Sequence, residues 1–109
     1  MKIDAGIPTY DPRESGKATK ALEEDGYDGA FTAETSHDPF LPLVSAALET
    51  EKIELVTAIA VAFARNPMIL ANLGYDLQKL SQGRFILGLG SQIRPHITKR
   101  FSMSWSSPA

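Results

Sequence analysis

Apolar residues recur along the chain in two alternating patterns. Four short apolar or β-branched runs, at residues 3–7, 29–33, 53–61 and 84–90, read as strands. Between them the apolar positions fall at three- and four-residue steps, as on one face of a helix: Ala18, Ala21 and Leu22; then Leu43, Val44, Ala47 and Leu48; then Leu70, Leu73, Leu77 and Leu80. An acid or amide followed by proline announces each helical stretch, at Asp11-Pro12, Asp38-Pro39 and Asn66-Pro67, spaced by 27 and then 28 residues. Asp and Asn accept a backbone N–H bond at a helix start, and proline suits the first helical position, where a donor would have no partner. Glu14, three residues after Asp11, makes an acidic relative of the capping box, and Gly26 and Gly83 stand where the first and third helices should stop. The predicted order is βαβαβαβ.

Runs that are apolar on both faces, alternating with helices and without an Asn-Gly hairpin turn, predict an α/β fold with a parallel sheet covered by helices. Two architectures use this repeat, the doubly wound sheet and the eight-stranded barrel. A dinucleotide fold places Gly-x-Gly-x-x-Gly after its first strand, whereas this turn reads Gly6-Ile7-Pro8-Thr9-Tyr10, and the later pair Gly88-Leu89-Gly90 lacks the third glycine. The glycine pattern favours a barrel. A full barrel takes eight such units and about 250 residues, so the expectation is the first half of a (β/α)8 TIM barrel, incomplete as given, with Ser107-Pro108 reading as a fourth helix start. Residues 1–109 would then be the amino-terminal part of a single, truncated domain. Two unpaired strand edges and an uncovered apolar face would promote self-association.

The third run is unusual because its apolar residues continue past a short strand, through Ala60-Val61-Ala62-Phe63, to Arg65-Asn66-Pro67. It is far shorter than the roughly 20 apolar residues that cross a bilayer. Its tail reads either as a bulged strand covered by a neighbouring loop or as a wall behind a flat apolar ligand ring.

Composition narrows the function. With 43% apolar and 22% charged residues the chain reads as a folded globular unit, and a formal net charge of -2 with both signs mixed offers no basic stripe for nucleic acid. The absence of cysteine removes disulfides, thiolate nucleophiles and thiolate metal sites, and the amino terminus lacks the apolar stretch of a secretory signal. A cytoplasmic protein is expected, acting on a small-molecule substrate without nucleic acid or membrane.

Barrel chemistry sits at the carboxyl ends of the strands, on the loops leading into the helices. The loop after the second strand, Glu34-Thr35-Ser36-His37-Asp38, concentrates two carboxylates and one of the two histidines. A histidine there exchanges a proton near neutral pH and a carboxylate can orient it, which makes Glu34 and His37 the catalytic candidates. Asp38 is already explained as a helix cap. No His-x-x-x-His pair supports a metal, and His96 lies two strand units away, so no metal is expected.

Three stretches, Leu22-Glu23-Glu24-Asp25-Gly26-Tyr27-Asp28-Gly29-Ala30-Phe31, Thr57-Ala58-Ile59-Ala60-Val61-Ala62-Phe63-Ala64-Arg65-Asn66-Pro67 and Leu80-Ser81-Gln82-Gly83-Arg84-Phe85-Ile86-Leu87-Gly88-Leu89-Gly90, resemble the amino-terminal part of the luciferase-like oxidoreductases. These are barrel enzymes that use flavin or the deazaflavin coenzyme F420. The resemblance implies hydride transfer between coenzyme F420 and a small organic substrate, with an FMN-dependent monooxygenase as the alternative and an inactive fragment or self-associating module as the alternative of another class. It also implies that Ala60 and Val61 back the coenzyme ring near a non-prolyl cis peptide, that Gly88, Gly90 and Ser91 line its edge, and that Glu34 and His37 face the substrate. Many relatives place histidine directly after the acid at the end of strand two. Here Thr35 follows Glu34 and the histidine comes two positions late, as His37. Arg94, Lys99 and Arg100 are candidates for a phosphate tail. Such relatives are often dimers, which makes a homo-oligomer the expectation.

Overall fold

The structure, a computed structural model, describes residues 2–62 and 65–90. Nine elements follow in the order β1 (Asp4–Gly6), α1 (Pro12–Glu24), β2 (Gly29–Thr32), α2 (Leu41–Glu49), β3 (Glu54–Thr57), β4 (Ala60–Val61), α3 (Pro67–Leu80), β5 (Phe85–Ile86) and β6 (Leu89–Gly90). One sheet runs β1-β2-β3-β5 and a second, short one joins β4 to β6. Every strand pair is parallel. The expected alternation is present, with one change: the third and fourth runs are each split into two strands.

Register assigns the two faces of the sheet. Ala30, Leu55 and Phe85 stand side by side and are buried with Phe40, Leu43, Ala46, Ala47, Leu70 and Leu77 of the helical layer. Their neighbours along the strands, Phe31, Val56 and Ile86, also align but point the other way, and Ile86 keeps 45% of its surface exposed. Alternation with period two therefore survives inside runs that carry apolar residues on both faces: one side meets the helices and the other is the inner face of the barrel.

The helix starts follow the local chemistry. Asp11 and Asn66 cap α1 and α3 by accepting from the backbone N–H groups of Arg13 and Met68, and beyond the helix ends Gly26 and Gly83 take φ of 93° and 87°, a left-handed conformation that suits glycine. The second helix departs from expectation. It begins at Leu41, two residues after Pro39, although Asp38 Oδ2 still accepts from the amides of Phe40 and Leu41 at 2.7 Å each. The carboxylate thus caps a turn that precedes the helix, and Pro42 occupies the first helical turn. Small residues let α1 lie against α2: Ser15 donates to the carbonyl of Pro42, and a Cβ on Gly16 would sit 2.9 Å from the carbonyl oxygen of Ser45.

Two charged side chains lock the amino-terminal end of the sheet. Glu23 Oε2 accepts from three successive amides, those of Glu51, Lys52 and Ile53, at 2.6–3.0 Å. Arg84 donates to the carbonyls of Ser81, Ala47, Thr50 and Ile53 and to the Thr50 hydroxyl, closing the ends of α2 and α3.

Candidate functional site

The long third run resolves into a bulge. Val56 pairs with Ile86 and Ala60 with Leu89, so three residues, 57–59, stand opposite two, 87–88. The extra residue ends β3 at Thr57 and restarts pairing at β4. The peptide between Ala58 and Ile59 is cis; the expectation was a cis bond near Ala60-Val61, and it lies two residues toward β3, in the bulge itself.

Gly88 is what allows the bulge to close. A Cβ there would lie 2.1 Å from the carbonyl oxygen of Thr57, and a Cβ on Gly90 would lie 1.9 Å from Cδ1 of Ile59. The Thr57 hydroxyl spans the gap, donating to the carbonyl of Gly88 at 3.0 Å while accepting from its amide at 2.9 Å. Ala60 N donates to the same carbonyl at 2.8 Å. The glycine pair, read from sequence as lining the coenzyme's edge, therefore also has a packing duty within the chain. Ser91, placed with it, lies outside the described residues, as do Arg94, His96, Lys99, Arg100 and the Ser107-Pro108 helix start.

On the other side of β4, strand β2 has already ended, and Glu34 takes over the pairing. Ala58 N donates to the carbonyl of Thr32, Glu34 N donates to the carbonyl of Ile59, and Val61 N then donates at 2.6 Å to the Glu34 carboxylate. Glu34 is only 7% exposed. Its two carboxylate oxygens are held by the guanidinium of Arg65 in a bidentate pair. Arg65 also donates to the carbonyl of Val61 at 3.0 Å, approaches Asp38 Oδ1 at 3.4 Å, and lies 5.0 Å above the centre of the Phe40 ring. The hydrogen bonds that Arg65 donates to Glu34 raise its pKa above its already high ordinary value against an opposing effect of burial, with the charges of Glu34 and Asp38 adding to the rise. Removing one partner of such a buried pair leaves an uncompensated charge, at a cost of about 3–5 kcal/mol.

His37 goes elsewhere. Its ring stacks on Tyr10 with centroids 5.6 Å apart and planes 19° apart. The Tyr10 hydroxyl is fixed by Ala33, donating to its carbonyl at 3.0 Å and accepting from its amide at 3.2 Å. Both rings line an open cleft of ≈ 600 Å³ between the first and second loops, with Thr9, Asp11, Asp38 and Leu41 among its walls. The two sequence candidates therefore part company: Glu34 turns inward to β4, His37 outward to the cleft, and no hydrogen bond joins them among the described residues. Ala60 and Val61 are fully buried. Among the described residues no group of three His, Asp or Glu side chains is placed to hold a metal ion, and no helix is long and apolar enough to cross a membrane.

Arg65 and Tyr10 lie in the strand-end segments where chemistry was expected, 60–65 and 8–10, but nothing in the local sequence assigned either of them a role. The signal for Arg65 was its position directly before the Asn66-Pro67 cap, which delivers its side chain back over the strand that precedes it. Tyr10 sat in a loop at the carboxyl end of the first strand, one residue before the Asp11 cap.

A parallel sheet with helices on one face and its polar loops at the carboxyl ends is the opening portion of a (β/α)8 barrel. The chain belongs to the luciferase-like monooxygenase family, whose pattern matches residues 2–109. An uncharacterised protein of Mycobacterium tuberculosis is 62% identical over the full 109 residues, which make up 32% of that relative. The chain thus spans about a third of the length of the curated relatives it matches. Among solved structures, a coenzyme F420 dependent tetrahydromethanopterin reductase from Methanopyrus kandleri superposes with a TM-score of 0.76 at 27% identity, covering 91% of this chain and 30% of that one. The oxygenating constituent of 3,6-diketocamphane monooxygenase from Pseudomonas putida, in complex with FMN, gives a TM-score of 0.77 at 20% identity, covering 90% and 31%, a likeness of fold.

Proposed function

We propose that residues 1–109 are the amino-terminal part of a single luciferase-like barrel domain, and that the whole protein transfers a hydride between coenzyme F420 and a small organic substrate. The observation that carries this reading is the bulge between β3 and β4 at the carboxyl end of the sheet, held on one side by Thr57 and Gly88 and on the other by Glu34 and Arg65. Both polar backbone groups of Val61 are engaged by side chains, its N–H by Glu34 and its carbonyl by Arg65, so a ring that reached Ala60 and Val61, which are fully buried in the structure, would meet chiefly apolar atoms. The F420-dependent likeness supports the choice of coenzyme.

The bound coenzyme supplies the hydride chemistry. This chain's residues supply position. Ala60 and Val61 would back the ring, and Gly88 and Gly90 keep β6 close enough to hold them in place. His37, presented on the Tyr10 ring at the cleft, is the group available to hold or move a proton at its imidazole. Glu34, with both oxygens occupied, orients the wall. Exposed apolar side chains on the helices, Leu48, Met68, Ile69 and Tyr75, each more than 60% exposed, support assembly with a further copy.

The test is an anaerobic titration of the whole protein with oxidised coenzyme F420 and, separately, FMN, followed by absorbance and by protein fluorescence. Saturable stoichiometric binding of F420 with weaker FMN binding is expected. Preferential FMN binding would replace this reading with the monooxygenase one, and binding of neither would overturn both.

A further inference from the structure

A half-buried arginine, 31 residues from Glu34 in sequence, closes a ring of hydrogen bonds around Val61. Val61 N–H donates to Glu34, Glu34 accepts from Arg65, and Arg65 donates to the carbonyl of Val61. We propose that Glu34 and Arg65 are a positioning pair that stands in for the missing strand neighbour of β4 and fixes the backbone of the coenzyme wall. The inference rests on the reading of Ala60 and Val61 as that wall.

The case is geometric. In an unbroken parallel ladder the strand following β2 would satisfy both Ile59 and Val61 through backbone groups. Here the bulge displaces the register by one residue, so only Ile59 finds a backbone donor, Glu34 N at 3.0 Å. Val61 is left facing side chains. A carboxylate alone satisfies its N–H but not its carbonyl, and it stays buried only with a cation beside it. Arg65 answers both needs at once, since its planar fork reaches the two carboxylate oxygens and the Val61 carbonyl together. Its own placement is fixed from two further sides by Asp38 and by the face of Phe40. Lysine has a single point of charge and cannot span these acceptors. The pair therefore sets the position of the wall without touching the reacting atoms.

The experiment uses the whole protein and three variants, Glu34→Gln, Arg65→Lys and the charge-free double variant Glu34→Gln with Arg65→Met. Two quantities are read: amide hydrogen exchange over the segment containing Val61 in the ligand-free protein, and the dissociation constants of F420 and FMN. Glu34→Gln keeps an acceptor for Val61 N–H but strands the Arg65 charge, so both it and Arg65→Lys should raise exchange there more than tenfold. Arg65→Lys should also weaken the preferred coenzyme at least tenfold. The double variant, free of a stranded charge, should fold well yet bind the coenzyme no better than Arg65→Lys. Unchanged exchange at Val61 in Arg65→Lys overturns the clamp. Raised exchange with coenzyme affinity within twofold of wild type overturns its link to the wall. Should the wild-type protein bind neither coenzyme, the functional reading falls while exchange still decides whether the clamp exists.

Discussion

Replacing Gly88 with alanine should destabilise the protein by about 3 kcal/mol, and the number follows from what the new methyl group meets. The added Cβ would lie 2.1 Å from the carbonyl oxygen of Thr57, where contact begins at 3.4 Å. That oxygen belongs to the backbone of the bulge, so relief requires β3 and the residue-88 backbone to separate by more than an ångström. Such a separation breaks three hydrogen bonds: the reciprocal pair between the Thr57 hydroxyl and Gly88, at 3.0 and 2.9 Å, and Ala60 N to the Gly88 carbonyl at 2.8 Å. At about 1 kcal/mol each they account for the estimate, which also sits at the upper end of the about 1–3 kcal/mol typical of overpacking. Gly90 provides the control, because its Cβ would meet the tip of the Ile59 side chain at 1.9 Å. A side chain can rotate, so Gly90→Ala should cost less, about 1 kcal/mol. Urea denaturation of both variants at neutral pH, followed by far-ultraviolet circular dichroism, measures the difference. If Gly88→Ala kept wild-type stability while losing coenzyme affinity, the glycine would serve the ligand alone and the packing argument would be refuted.

Further outcomes follow from the same contacts. Glu23 is destabilised as an anion by burial, but the amides of Lys52, Ile53 and Glu51 outweigh this, and its pKa lies below the usual glutamate value. Its folded pKa is depressed, so its contribution is present above the unfolded value of about 4.3 and is lost as pH falls through the folded one; Glu23→Gln should lower stability at pH 7 by about 1 kcal/mol and flatten the acid limb of a stability–pH curve. Asn66→Ala removes the α3 cap to Met68 N and should cost about 1 kcal/mol in the same denaturation assay. Gly74 lies inside α3 with open space where a Cβ would be, and Gly74→Ala should stabilise by about 0.5–1 kcal/mol, readable as a rise in Tm.

Legibility in the sequence varied with the range of the interaction. The caps at Asp11 and Asn66 and the stops at Gly26 and Gly83 depend on chemistry within a few residues, and the structure uses all four as expected. Asp38 exposed the limit of the same rule, since its carboxylate caps the right amides while the helix waits for Leu41. Strand direction and order were legible because the alternation of strands with helices leaves few parallel arrangements. The bulge was legible only as one reading of the long third run, and its position was not, because apart from Glu54 residues 53–61 are apolar or small and a one-residue insertion leaves the pattern unchanged. The site was legible in part: Glu34 stood out as an acid at the end of a strand, but its bond to Arg65 crosses 31 positions, and no local spacing marks such a pair. The stacking of His37 on Tyr10 spans 27 positions and was invisible for the same reason.

The account turns on where the coenzyme ring lies, and a crystal structure of the whole protein with bound coenzyme measures this directly. The ring should rest against Ala60 and Val61 at van der Waals distance, about 3.5–4 Å, with Arg65 still bonded to Glu34 behind the strand. A ring bound away from β4, or one that displaces Arg65 from Glu34, would contradict the account.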